Sequence, residues 1–141
     1  MRKILVVVDM QNDFIDGALG TPEALAIVEN VKARIKEYDP ADVFVTMDTH
    51  TPDYLETQEG RNLPVEHCIR GTEGWEIRPE IARLLEDDHI FEKPTFGSVT
   101  LAEQLKRIAF ENLLHERVCP RCSQKRWYSL SIGMPHLGQI G

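Results

Sequence analysis

Three charged side chains in this sequence end short apolar runs and would come together if those runs pair as strands. Asp9 follows the apolar run Ile4-Leu-Val-Val-Val8, Asp48 closes Val43-Phe-Val-Thr-Met47, and Lys93 follows His89-Ile-Phe-Glu92. Two acids and a lysine, each at the end of a short apolar run, would meet at one sheet edge, which is more than a solvated charge run would give. Asp48-Thr49-His50 adds detail. Side chains two apart on extended backbone point the same way, so Asp48 and His50 can reach one ion. His67 and Glu59 lie further along the same stretch. Asp, His and His with an optional Glu suit Zn²⁺ or a similar ion, with a position left open for substrate or water. Plainer readings stand beside these: Asp9 as a turn cap, and His50 and His67 as loop residues bonded to backbone.

The strands and helices that would carry these residues are read from the same pattern. Continuous apolar runs of this length, rich in Val and Ile, read as strands buried on both faces. Asp9 and the polar Gln11, Asn12 and Asp13 then fall at the mouth of a parallel sheet, where sites in open α/β folds lie. Thr21-Pro22 starts a helix, with a hydroxyl cap and proline at the first helical position. Leu25, Val28, Val31 and Ile35 are expected to share one face of that helix, which runs to Tyr38 before Pro40. Residues 49–77 read as a long polar loop with Pro52, Gly60, Pro64, Gly71 and Gly74, a length that points to function. Pro79 opens a short helix through Leu85, His89–Glu92 forms a third strand, and Leu101, Leu105, Ile108 and Ala109 share a face of a last helix. Strand and helix alternating three times predicts an α/β fold, a parallel sheet with right-handed crossovers. A phosphatase with an aspartyl nucleophile is disfavoured: it needs a second Asp two residues after the first, where this chain has Gln11.

Composition narrows the classes. The 141 residues suffice for one domain and one core. Net charge is −7, against nucleic acid as a main partner. No apolar run approaches a membrane span, and Asp9 interrupts the only stretch that imitates a signal peptide, so a cytoplasmic location without a membrane partner is expected. Three cysteines suggest thiols or ligands rather than disulfides.

Four segments together resemble the isochorismatase-like cysteine hydrolases, nearest the nicotinamidase branch. They are Val-Val-Val-Asp-Met-Gln-Asn-Asp-Phe, Thr-Met-Asp-Thr-His, Leu-Pro-Val-Glu-His-Cys-Ile-Arg-Gly-Thr-Glu-Gly-Trp and Glu-Lys-Pro-Thr-Phe-Gly-Ser, in the family's order, over about residues 3–112. The resemblance implies a parallel sheet with helices on both faces, a Rossmann-like three-layer arrangement. It also implies an Asp-Lys-Cys triad, with Asp9 as general base and Lys93 stabilising the thiolate. The cysteine would attack a small amide such as nicotinamide, a reaction of NAD metabolism, through a thioester. Asp48, His50 and His67 match the family's metal ligands, Glu59 stands where some members have a fourth, and Phe14 and Trp75 can line a pocket or pack in the core. A homo-oligomer is expected.

The nucleophile is where the sequence departs from the family. Arg117-Val-Cys119-Pro-Arg-Cys122-Ser123 keeps Val-Cys, but the family's nucleophile, four residues after the first Cys, falls on Ser123, with Cys122 one short. Cys122 and Cys119 are the candidates. Charge changes at the same place: residues 1–114 carry 22 acids against 12 bases, and residues 115–141 carry one acid against four bases. Trp127–Gly141 shows no helix period and no clear strand, so the segment 113–141 reads as truncated, replaced or frame-shifted, leaving a sheet edge open. His115, Cys119, Cys122 and His136 make a candidate small zinc site in which Cys-x-x-Cys is half a motif, beside the plainer reading of unpaired residues, and Cys68 reads as a packing residue. The alternative to an enzyme is an inactive member of the fold that keeps the pocket and acts by binding.

Overall fold

The computed structural model describes residues 3–118 and 131–132. Four parallel strands form its sheet: β1 (Leu5–Val8), β2 (Val43–Asp48), β3 (Ile90–Lys93) and β4 (Ser131–Ile132), in the spatial order β3-β2-β1-β4. Register runs from Leu5 opposite Val43 to Val8 opposite Thr46, and from Val45 opposite Ile90 to Asp48 opposite Lys93. The three acid- or lysine-terminated runs therefore lie side by side, all pointing their carboxyl ends one way.

Side chains alternate across a strand, and both faces of this sheet are covered. Leu5, Val7, Val43, Val45 and Met47 face one layer, where they pack with Ile15 of α1 (Asn12–Ile15), Val28 and Ile35 of α3 (Val28–Ile35) and Ile81 of α5 (Pro79–Ala82). Val6 and Phe44 face the other, against Leu101 and Ile108 of α6 (Val99–Val118), with Leu105 partly buried beside them. The parallel sheet agrees with the strand-helix alternation, and the helices on both its faces give the three-layer arrangement that the family resemblance implies. No helix among the described residues is long and apolar enough to cross a membrane.

Several local expectations need correction. The helix starting at Thr21 is two helices, α2 (Pro22–Ala26) and α3, with a break at Ile27. Thr21 caps α2 as expected, its hydroxyl accepting the Ala24 N–H at 3.1 Å. The break falls at the β-branched pair Ile27-Val28, which is stiff in a helix, and it leaves Leu25 47% exposed rather than on the core face. The helix from Pro79 keeps regular geometry only to Ala82; Leu84 and Leu85 donate to the carbonyls of Ile81 and Ala82, tighter bonds that end it. His89 lies in a 3₁₀ turn before β3, not in the strand, because its Nδ1–H is taken by the Val43 carbonyl at 3.0 Å and its ring stacks on Phe44. The stretch 49–77 contains a helix, α4 (Gln58–Asn62), capped by the Thr57 hydroxyl. The tail also contributes a strand where none was expected. β4 pairs with Leu5 and Val6, since the outer edge of β1 offers unpaired backbone groups to any extended segment that reaches it.

Candidate active site at the carboxyl edge of the sheet

The chain turns out of the sheet at Asp9, which sits at φ 52°. That left-handed backbone is uncommon for a residue with a side chain and best tolerated by Asn and Asp. It turns the Asp9 carboxylate toward Lys93: Oδ2 lies 2.8 Å from Nζ, while Oδ1 accepts the Thr46 hydroxyl at 2.7 Å. Lys93 Nζ also reaches Asp48 Oδ1 at 3.4 Å. Lys93 and Asp48 are buried, and Asp9 remains 21% exposed at its side chain. The structure thus brings together the three residues that end the apolar runs.

Burial and pairing act in opposite directions on these groups. Burial pushes the Asp9 carboxyl above the ordinary carboxylate range, more than its bonds to Lys93 and Thr46 pull it down. Burial also works to raise Asp48, but its contact with His67, when that ring is protonated, and the charges of Lys93 and His50 outweigh it and hold Asp48 low. For Lys93, burial favours the neutral amine, and the facing carboxylates of Asp9 and Asp48 override it, so the ammonium is held more firmly than usual. The result is one carboxylate kept ionised, one ammonium kept charged, and one carboxylate made a better base.

The second oxygen of Asp48 faces a different group. Oδ2 lies 3.0 Å from His50 Nε2 and 3.5 Å from His67 Nε2. One ligand atom from each of Asp48, His50, Glu59 and His67 falls within 4.8 Å of all the others. The tautomer of His67 follows from its far side, where Nδ1 lies 2.8 Å from the Val65 carbonyl. A carbonyl only accepts, so Nδ1 carries the hydrogen, and Nε2 of the neutral ring presents a lone pair toward the Asp48 carboxylate. Two acceptors face each other there, and either a proton on His67 or a cation resolves them. Burial disfavours that proton; the Asp48 and Val65 contacts outweigh burial and raise the His67 pKa. Two imidazoles and two carboxylates at this spacing fit a divalent ion that accepts nitrogen and oxygen. Asp48 is shared, one oxygen toward Lys93 and one toward the histidines.

Aromatic rings and loop bonds hold this group in place. Tyr54 is fully buried, with its ring 4.6 Å from that of His50 and 5.0 Å from that of His67, and its hydroxyl donates to the Leu63 carbonyl. Phe14 meets His67 edge-on at 5.5 Å. Trp75 packs against the core while its Nε1–H donates to the Thr49 hydroxyl. Asp13 Oδ2 accepts the Cys68 N–H at 2.7 Å, and Cys68, at φ 48°, gives its carbonyl to the His50 N–H at 2.9 Å. Any Cβ at Gly74 would run into that Asp13 carboxylate, so the site needs glycine there. Tyr54 and Thr46 had no signal of their own in the sequence; Asp13 was readable at the mouth of the sheet, but its bond to Cys68, 55 residues away, was not.

The nucleophile candidates Cys119 and Cys122, together with Ser123 and His136, lie outside the described residues, and no side-chain geometry is assigned to His115. Cys68 is fully buried, and burial first, then the Asp48, Asp13 and Asp9 carboxylates, push its thiol far up. That is the opposite of what an attacking thiolate needs, and it agrees with a packing role.

Comparison with known proteins places this geometry. The isochorismatase domain, as a family model, matches residues 3–114. No curated protein matches the chain. Among solved structures, a pyrazinamidase of Pyrococcus horikoshii in complex with zinc shares 29% identity, with a TM-score of 0.62 over 77% of this chain and 66% of that one. An N-carbamoylsarcosine amidase from Thermoplasma acidophilum shares 29%, with a TM-score of 0.58 over 75% and 62%. A nicotinamidase from Bacillus subtilis shares 29%, with a TM-score of 0.50 over 76% and 66%. The chain thus spans between 62% and 66% of the length of these three proteins.

Proposed function

This chain belongs to the isochorismatase family, and from that we propose that it is a cysteine-dependent amidohydrolase, nicotinamidase-like, which cleaves a small amide such as nicotinamide. The observation that carries the reading is the Asp9–Lys93–Asp48 cluster standing directly beside the Asp48–His50–His67 group. It is supported by the pyrazinamidase and nicotinamidase likenesses.

In this mechanism Asp9 takes the proton of a cysteine thiol, from Cys122 or Cys119. Its raised pKa narrows the gap to a thiol and makes the transfer less uphill. Lys93, held as an ammonium by two carboxylates, stabilises the thiolate. The sulfur attacks the amide carbon, the nitrogen leaves as ammonia with the proton returned by Asp9, and water then hydrolyses the thioester to the acid. Asp48, His50 and His67, with Glu59, would hold a divalent ion, Zn²⁺ first among candidates, which when bound supplies a Lewis acid for a pyridine nitrogen or a water. Phe14, which meets the His67 ring edge-on, would line the pocket for an aromatic substrate. Such an enzyme would work in NAD metabolism.

Ser123 at the position expected for the nucleophile favours a second reading, a family member that binds its ligand without turnover. Ammonia release from nicotinamide separates the two, measured with and without Zn²⁺ on the wild type, Cys119→Ala and Cys122→Ala. Release abolished by one substitution supports the hydrolase and names its nucleophile. Zinc binding with no release in any sample supports the binding protein.

A further inference from the structure

Gln11 is fully buried, although the polar Asn12 and Asp13 follow it directly. Its side-chain amide makes three hydrogen bonds. Nε2 donates to the carbonyls of Asp48 at 2.8 Å and Trp75 at 2.7 Å, and Oε1 accepts the Asp48 N–H at 2.7 Å. The amide admits one orientation only, since turning it over would set its oxygen against two carbonyls.

The reason for this arrangement lies in the strand that precedes it. The last backbone bond between the first two strands runs from the Asp9 N–H to the Thr46 carbonyl, at 3.1 Å. In a continuing parallel ladder, the next two rungs would join the Asp48 N–H to the Asp9 carbonyl and the Asp48 carbonyl to the Gln11 N–H. Asp9 has turned to φ 52° and taken the chain out of the sheet, so those rungs are not made by backbone. The Gln11 side chain supplies both. On the opposite side of β2 the pairing continues unbroken, with the Thr49 N–H on the Lys93 carbonyl at 3.0 Å. Asp48 is therefore gripped from both sides at the point where β1 no longer exists.

We propose that Gln11 is a positioning residue, whose amide replaces the missing end of β1 and fixes the backbone of Asp48 so that its carboxylate stays between Lys93 and the two histidines. It lets Asp9 leave the sheet toward Lys93 without loosening Asp48. The inference rests on the reading of Asp48 as a metal ligand.

Gln11→Met keeps length and shape and removes all three bonds; Gln11→Glu keeps the shape and sets an acceptor against two carbonyls. Zn²⁺ titrated into the full chain is expected to bind about 10- to 100-fold more weakly to either variant, as for loss of an outer-shell partner, and the visible spectrum of the Co²⁺-loaded chain should change. Phe44→Leu, a core change four residues back along β2, controls for lost stability and should leave Zn²⁺ affinity within about 2-fold. In the metal-free chain, exchange of the Asp48 amide relative to that of Val45 should rise about 10-fold in Gln11→Met, a local opening. A folded variant with wild-type affinity and an unchanged exchange ratio overturns the proposal. Failure of both variants to fold also overturns it, because the amide would then hold the sheet rather than the ligand. If the wild type binds no Zn²⁺, the metal reading fails separately, and the exchange ratio alone decides whether Gln11 positions Asp48.

Discussion

Along one strand, β2, burial is nearly constant and its consequence reverses. Val43, Phe44 and Val45 are 2%, 1% and 0% exposed and sit in apolar clusters; Asp48, three residues on, is 6% exposed and faces an ammonium and two imidazoles. Removing the first three from water stabilises the fold by about 1.5–3 kcal/mol for each large side chain. Removing Asp48 from water costs several kcal/mol, on the order of what its partners return. The body of the sheet therefore holds the protein together, and its carboxyl edge draws on that stability to keep charges close and dry. Substitutions in the two regions should separate cleanly, the one set moving stability and the other chemistry.

The sharpest separation is expected at Asp9. Asp9→Asn keeps a residue that tolerates left-handed backbone but removes the proton acceptor, so ammonia release should fall by roughly 10²- to 10⁴-fold, with little change in the urea midpoint. An Asp9→Asn chain that unfolds as readily as a core variant would show that the edge is structural after all. Phe44→Ala is the mirror experiment. It should cost about 3–5 kcal/mol in urea unfolding while kcat of the folded fraction stays near wild type; a matching loss of kcat would mean that the two regions are coupled through β2. Metal gives a smaller, diagnostic effect. Zn²⁺ at about 100 times its Kd should stabilise the wild type by about 2.7 kcal/mol, read as a rise in Tm. The rise should vanish in His67→Ala and persist in Phe44→Ala, and an equal rise in all three would place the ion elsewhere. Thr21→Ala, which removes a surface cap far from either region in the sequence, calibrates the scale with a loss of about 1 kcal/mol and no change in ammonia release.

Much of the fold and part of the site are legible in the amino-acid sequence. The strand runs announce themselves because each is a short apolar segment, and their ends are marked by Asp9, Asp48 and Lys93. Asp48 and His50 are readable as a pair because extended backbone puts alternate side chains on one side. The placement of His89 is not readable, since a carbonyl from another strand decides it; the helix break at Ile27 has only the weak local signal of two adjacent β-branched residues. Nor is the pairing of β4 with Leu5 and Val6, which depends on an edge that exists only once β1 is in the sheet.

Local patterning thus sufficed for the three apolar strands β1, β2 and β3 and for the charged residues at their ends, because apolar spacing acts within a few residues. Folding in three dimensions was needed for Asp9 to leave the sheet at a positive φ, for Gln11 to stand in for it, and for Asp13 to tie Cys68, and with it His67, into place. Those bonds join residues 37, 55 and 64 positions apart. No local pattern encodes them, since each forms only after chain closure has brought its partner within hydrogen-bond reach.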